Sequence, residues 1–177
     1  MPHDRRYNRR QLLAGAGAAG ATLVAGCSSG SNGGSDVYEI GMVDALTGSL
    51  ADFGTRNQRG MELALADVND VGVAGGELDI IVEDSGSTQQ GGISAAQKLV
   101  NQNNVPFLIG AVGSGVSIAI YDSVISGTDV VQLSQNSTGT GLSDRPGLLR
   151  MSPSGRSQSA ALADIIAEDG YDEVAVT

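Results

Sequence analysis

The sequence predicts an α/β fold, a parallel sheet with helices on both faces. Three observations carry that expectation. Apolar runs of strand length alternate with segments whose apolar residues recur at helical spacing. The runs are almost continuously apolar, as in strands covered on both sides. Between them lie loops rich in Gly, Ser, Thr and Asn, which punctuate strand–helix–strand units.

In order, residues 37–43, VYEIGMV, read as the first strand. In residues 57–70, NQRGMELALADVND, the side chains of Met61, Ala64, Leu65 and Val68 fall on one face, so a helix follows. ELDIIVED, residues 77–84, is the second strand. Residues 91–102 form a helix with Ile93, Ala96, Leu99 and Val100 on one side. PFLIGAV, residues 106–112, is a third strand, followed by a helix over 115–126. DVVQLS, residues 129–134, is a fourth strand, and LLRMSP, residues 148–153, a short extended run. Residues 156–170 return to helix, with Leu162, Ile165 and Ile166 as its apolar stripe. DEVAV, residues 172–176, starts a further strand. The sequence stops there without a turn or cap, which reads as a fragment or an early stop in a longer protein.

Composition removes whole classes of chemistry. Cys27 is the only cysteine, so neither an internal disulfide nor a cysteine zinc cluster is available. The single histidine, His3, lies in the basic N-terminal segment, which excludes a histidine triad or proton shuttle in the domain. No cofactor motif survives scrutiny, and no enzyme activity is expected. Asp and Glu number 20 against 10 Lys and Arg, for a net charge of −10. Such a surface repels nucleic acid and anionic lipid. Lys98 is the only lysine. High acid content with almost no lysine resembles proteins of salt-loving archaea, whose carboxylates keep the surface hydrated.

The N-terminus contains GAGAAG, residues 15–20, a letter-for-letter match to the dinucleotide fingerprint. The fingerprint needs a buried strand before it, but DRRYNRR precedes it here. An export signal fits better. Arg5, Arg6, Arg9 and Arg10 form a basic region, a mildly apolar stretch follows over residues 12–24, and small residues lead to Cys27. NRRQLL resembles a twin-arginine signal carried by Arg9 and Arg10. VAGC resembles a lipobox, which implies cleavage after residue 26 and lipidation of Cys27. Residues 27–36 then form a Gly/Ser tether that holds the domain roughly 15–18 Å from its anchor.

In open parallel sheets, ligands bind outside the carboxyl ends of the strands. Three loops fall there: residues 44–57, 112–115 and 134–144. They offer hydroxyls and backbone N–H groups but few charges. GSG, residues 113–115, opens a helix whose N-terminus suits a carboxylate or phosphate, with Ser114 as a further donor or as an ordinary cap. Phe53 is expected in a loop, as a ring that covers something. Asp44 and Asp84 end strands, where they either hold a loop or touch a ligand.

The stretches EIGMVDALTGSLADFGTRNQRGMELALADVN, IIVEDSG, AAQKLV, FLIGAVGSGVSIAI and VVQLSQNSTGTGLSD, taken in order, resemble the first lobe of the branched-chain amino acid binding proteins. These are type I periplasmic solute-binding proteins of ABC transporters. The resemblance runs from residue 37 to 177. It implies a ligand-binding lobe over 37–150 and the start of a second lobe over 151–177, closing on the ligand by a hinge. It implies that Ser114 holds the ligand carboxylate. Asn136, Ser137 and Thr138 add main-chain and hydroxyl contacts, and Phe53 covers the side chain. The partners implied are a small solute (an amino acid or amide) and the permease and ATPase subunits of a transporter. The implied place of work is the outer face of the cytoplasmic membrane, through the lipid on Cys27. Thr88-Gln89, Gly113 and Ser134-Gln135 depart from the family's usual residues and leave the solute open. A sensory receptor of the same fold is the alternative, and a nucleotide-binding α/β enzyme a third reading.

Overall fold

The computed structural model describes residues 36–171 and 173–175. Arg9, Arg10, Cys27 and the expected signal lie outside the described residues, as does the tether except for Asp36. Five parallel strands form one sheet: β1 (Val37–Asp44), β2 (Glu77–Asp84), β3 (Phe107–Ile109), β4 (Val131–Ser134) and β5 (Leu148–Arg150). Their spatial order is β2-β1-β3-β4-β5. The helices are α1 (Ala51–Val71), α2 (Gln89–Asn101), α3 (Ser114–Ile120) and α4 (Gly155–Glu168). The α/β architecture is therefore as the alternation predicts.

The order has a physical consequence. β1 connects through α1 to β2 on one side, and β2 connects through α2 to β3 on the other. Right-handed crossovers in opposite directions put α1 on one face and α2 and α3 on the other. Alternation along β1 shows the split. Val43 points into the core with Leu99, Leu108, Ile120 and Leu148. Met42 points the other way, to a cavity lined by Met61, Leu65 and Val68 of α1.

Two glycines let these layers approach. A Cβ at Gly92 of α2 would stand 2.4 Å from Val116 Cγ1 of α3. A Cβ at Gly54 in α1 would stand 2.0 Å from the carbonyl oxygen of Ala45. The second approach explains a correction. The sequence predicts α1 from residue 57, with Phe53 in a loop. The helix in fact begins at Ala51, because Gly54 allows its first turn to close against the end of β1. Phe53 is thus a helical residue, 45 % exposed.

Smaller corrections follow from local bonding. α2 starts at Gln89 rather than 91, because the Thr88 hydroxyl accepts from Gly91 N and caps it. β3 and β4 pair only over 107–109 and 131–133. α3 runs on into a wider π turn, Tyr121–Ile125. Glu173–Ala175, expected in a new strand, make no strand pairing. Nor are all strands covered on both sides: the edge strand β2 is nowhere fully buried. α4 forms as predicted, but it has no buried residue and its stripe is open, with Leu162 58 % and Ile165 55 % exposed. Among the described residues no helix is long and apolar enough to cross a membrane.

Candidate functional site

The strand order reverses between β1 and β3, so the crevice lies at their carboxyl ends. It is framed by the loop of residues 45–50, the turn of residues 110–113 and the loop of residues 135–139.

The first loop is fastened by Asp84. Its carboxylate accepts from Leu46 N at 2.9 Å, Thr47 N at 3.2 Å, the Thr47 hydroxyl at 2.5 Å and Gly86 N at 2.7 Å. Desolvation pushes its pKa up, but the bonds from Thr47, Gly86 and Leu46 outweigh it and hold the carboxyl below the usual value. Ser87 adds a second clamp, donating to Thr47 O and accepting from Leu50 N. Asp84 therefore holds a loop.

Asp44 is fully buried. Its Oδ1 accepts from Ala45 N and from Asn57 Nδ2 of α1, and its Oδ2 has no partner. Burial raises its pKa, against the bonds from Asn57 and Ala45. It ties α1 to the end of β1.

The second and third loops are locked together by a buried polar knot. The Ser117 hydroxyl accepts from Ala111 N at 2.9 Å and lies 3.0 Å from Ala111 O. It also meets the hydroxyls of Ser134 at 3.2 Å and Ser137 at 2.9 Å. Gln132 Nε2 donates to Gly110 O and Ser117 O. All four side chains are buried. The knot fixes where β3 ends relative to the loop after β4.

On that foundation sits Ser114, the first residue of α3. The first intrahelical bond is made by Ser117 N to Gly113 O, so the amides of residues 114–116 precede it and point outward. The Ser114 hydroxyl accepts from Gly139 N at 3.0 Å, which leaves its own proton to donate. Thr138 is exposed beside it, its carbonyl accepting from Gly155 N. Asn136 holds a buried Oδ1 with no partner. Ser137, by contrast, turns its hydroxyl into the knot, so it acts by placing the neighbouring backbone. Phe53 stands on the first turn of α1 with the Arg56 guanidinium 5.8 Å from its ring centroid. Leu50, just before that turn, lies against Gly113.

The structure thus brings Ser114, Asn136, Ser137 and Thr138 to one end of the sheet, with Phe53 on an adjoining element. Sequence reasoning missed Ser117 and Gln132, and it placed Ser134 at the start of the third loop without its role in the knot. Their only signal is polar residues inside apolar runs, which alternation reads as facing solvent. Among the described residues no cluster of His, Cys, Asp and Glu could hold a metal.

A family model described as periplasmic binding protein matches residues 37–177. A Leu/Ile/Val-binding protein homolog of Brucella melitensis is 33 % identical over 108 residues, 60 % of this chain and 28 % of that protein. The branched-chain amino acid transporter substrate binding protein of Streptococcus pneumoniae, solved with isoleucine, superposes with a TM-score of 0.63 at 26 % identity, covering 67 % of this chain and 34 % of that one. An ABC transporter substrate-binding protein of Desulfitobacterium hafniense, solved with Leu, gives a TM-score of 0.65 at 28 % identity, covering 76 % and 40 %. The chain spans about a third of the length of the curated relatives it matches.

Proposed function

Because the chain belongs to the periplasmic binding protein family, whose members are binding proteins rather than enzymes, we propose that it supplies one wall of an extracytoplasmic solute receptor for an ABC transporter. The solute is a branched-chain amino acid or a related small polar compound. The observation that carries this reading is the half-site around Ser114. The outward amides of residues 114–116 and the free Ser114 proton converge at one helix start. That arrangement suits a carboxylate. The loop of Asn136 and Thr138 offers main-chain and hydroxyl acceptors for an ammonium group, and the exposed Phe53 ring offers an apolar cover for a side chain. A second lobe, beginning at residue 151, closes over the solute by a hinge.

The half-site needs no catalytic group, since it supplies donors, an acceptor and an apolar ring. Its selectivity comes from geometry: the Ser117 knot and the Asp84 clamp hold the loops before ligand arrives, which lowers the cost of ordering them. A thermal-shift screen with leucine, isoleucine, valine, other amino acids and amides tests the reading. Stabilisation by at least one amino acid supports it, and no shift with any of them at high concentration contradicts it.

The receptor's location is part of the same proposal. Arg9 and Arg10 direct export, and a lipid on Cys27 keeps the protein at the outer face of the cytoplasmic membrane, next to its permease. Replacing Cys27 with Ser should move the protein from the membrane fraction to the soluble one; unchanged membrane attachment would contradict the anchor.

A further inference from the structure

Gly139 is held on both sides. Its N–H donates to the Ser114 hydroxyl at 3.0 Å, and its carbonyl accepts from Arg150 Nη1 at 2.7 Å. The second terminal nitrogen, Arg150 Nη2, donates to the Ser143 hydroxyl. One guanidinium thus grips the 3-10 turn Thr140–Asp144 near both of its ends. Arg150 ends β5, in register with Ser134 of the polar knot. Alternation puts it on the same side of the sheet as the buried Leu148, the face that carries α3. Among the described residues no carboxylate pairs with it, whereas Arg145 pairs with Asp122 and Lys98 with Glu83. Its donors go instead to two neutral oxygens, and bonds from a charged donor are the stronger kind. The next residues continue the attachment. Met151 N donates to Ser134 O at 3.0 Å, and the Ser152 hydroxyl to Gln135 O at 2.9 Å. Gly139 has no slack on its other side: a Cβ there would stand 2.8 Å from Ser114 Cβ.

We propose that Arg150 is a positioning residue for the Ser114 half-site. Through Gly139 it sets where the Ser114 hydroxyl points, and so how well that hydroxyl meets a ligand carboxylate. The proposal rests on the half-site reading above and adds to it a residue that acts through Gly139 rather than on the ligand. The bond from Gly139 N occupies one lone pair of Ser114 Oγ, which turns the hydroxyl proton away from Gly139. Without Arg150 the turn of residues 140–144 loses its grip at both ends, Gly139 shifts, and the hydroxyl rotates freely.

Two readouts on the full 177-residue chain test this, the first without ligand. In Arg150→Met, exchange of the Gly139 amide hydrogen should quicken by about tenfold or more, while the fully buried Leu99 of α2 keeps its protection. Arg150→Lys should recover part of the protection, since an ammonium still donates but lacks the guanidinium fork. In the second readout, leucine should bind Arg150→Met about tenfold more weakly than the unaltered chain, with Arg150→Lys in between. Gly139→Ala, which leaves Arg150 intact, should weaken leucine as strongly, because the added Cβ displaces Ser114. Gly139 exchange indifferent to Arg150→Met overturns the proposal. So does equal quickening at Gly139 and Leu99, which would make Arg150 a support of the whole fold. Leucine affinity unchanged in an Arg150→Met chain with fast Gly139 exchange overturns it as well. If the unaltered chain responds to none of leucine, isoleucine and valine, the half-site itself is contradicted, and the exchange result still decides whether Arg150 places Gly139.

Discussion

On one face of the sheet, α2 and α3 bury Val43, Leu108 and Leu148 beneath Leu99, Ile120 and Ile125. On the other, α1 is the one helix among the described residues that stands over Met42, Ile80 and Ile109, and it leaves about 530 Å³ unfilled. The difference comes from connectivity. The β2–α2–β3 and β3–α3–β4 crossovers both fall on the first face, and they bring two helices whose crossing is made close by Gly92. Only β1–α1–β2 falls on the second. The chain between β4 and β5 makes a short 3-10 turn, Thr140–Asp144, instead of a covering helix. One face is finished by segments within a few dozen residues of each other, while the other waits for something the described residues do not supply. The proposed half-site is built on the finished face: its knot of Ser117, Ser134 and Ser137 sits at the end of the same layer that buries Leu108.

This contrast can be broken by substitutions. Leu99→Ala on the closed face should cost about 2–5 kcal/mol of stability, because a fully buried leucine leaves a cavity that cannot collapse. A loss below about 1 kcal/mol in chemical denaturation would mean that this face is not the core. Ser117→Ala should cost about 1–3 kcal/mol, since it leaves the buried Ala111 N–H without its partner. The same variant should also loosen the loop of residues 135–139, seen as faster amide exchange there. If exchange stays slow, the knot does not position the half-site. Leu65→Ala on the open face should cost least, about 1 kcal/mol or less, because the side chain is only half-buried and borders space already empty. A loss equal to that of Leu99→Ala would mean the groove is filled in solution.

The order of strands and helices is legible in the sequence because burial on the closed face follows period. Ala96 and Leu99 are found where helical spacing puts them. The start of α1 is not legible, because Gly54 and Thr55 look like loop residues until the contact of Gly54 with Ala45 is known. β4 inverts the usual pattern. Gln132 and Ser134 are its buried residues, and Val131 and Leu133 face the open side, half-covered. Polarity alone turns that strand inside out. The Gln132 amide nitrogen and the Ser134 hydroxyl are tolerable there because Gly110 O, Ser117 O and Ala111 O accept from them, although Gln132 Oε1 has no partner, and those acceptors come from the turn after β3 and from α3, at least 15 residues away in sequence. For the candidate site, Ser114 is placed by its glycine neighbours in the sequence and by the helix start in the structure. The inward turn of Ser137 depends on Ser117 and could not be read in advance. Phe53, expected in a loop as a ring that covers something, is exposed on the first turn of a helix.

The central claim is that the amides at the start of α3 form a carboxylate-binding half-site. It is tested most directly by titrating leucine into the ¹⁵N-labelled chain and following backbone amide shifts by NMR. The account predicts saturable shifts at Ser114, Gly115, Val116 and Gly139, with Ser114→Ala weakening them and Met61 and Leu65 unaffected. Shifts confined to the groove around Met61 and Leu65, or none at the start of α3 at saturating leucine, isoleucine or valine, would contradict it.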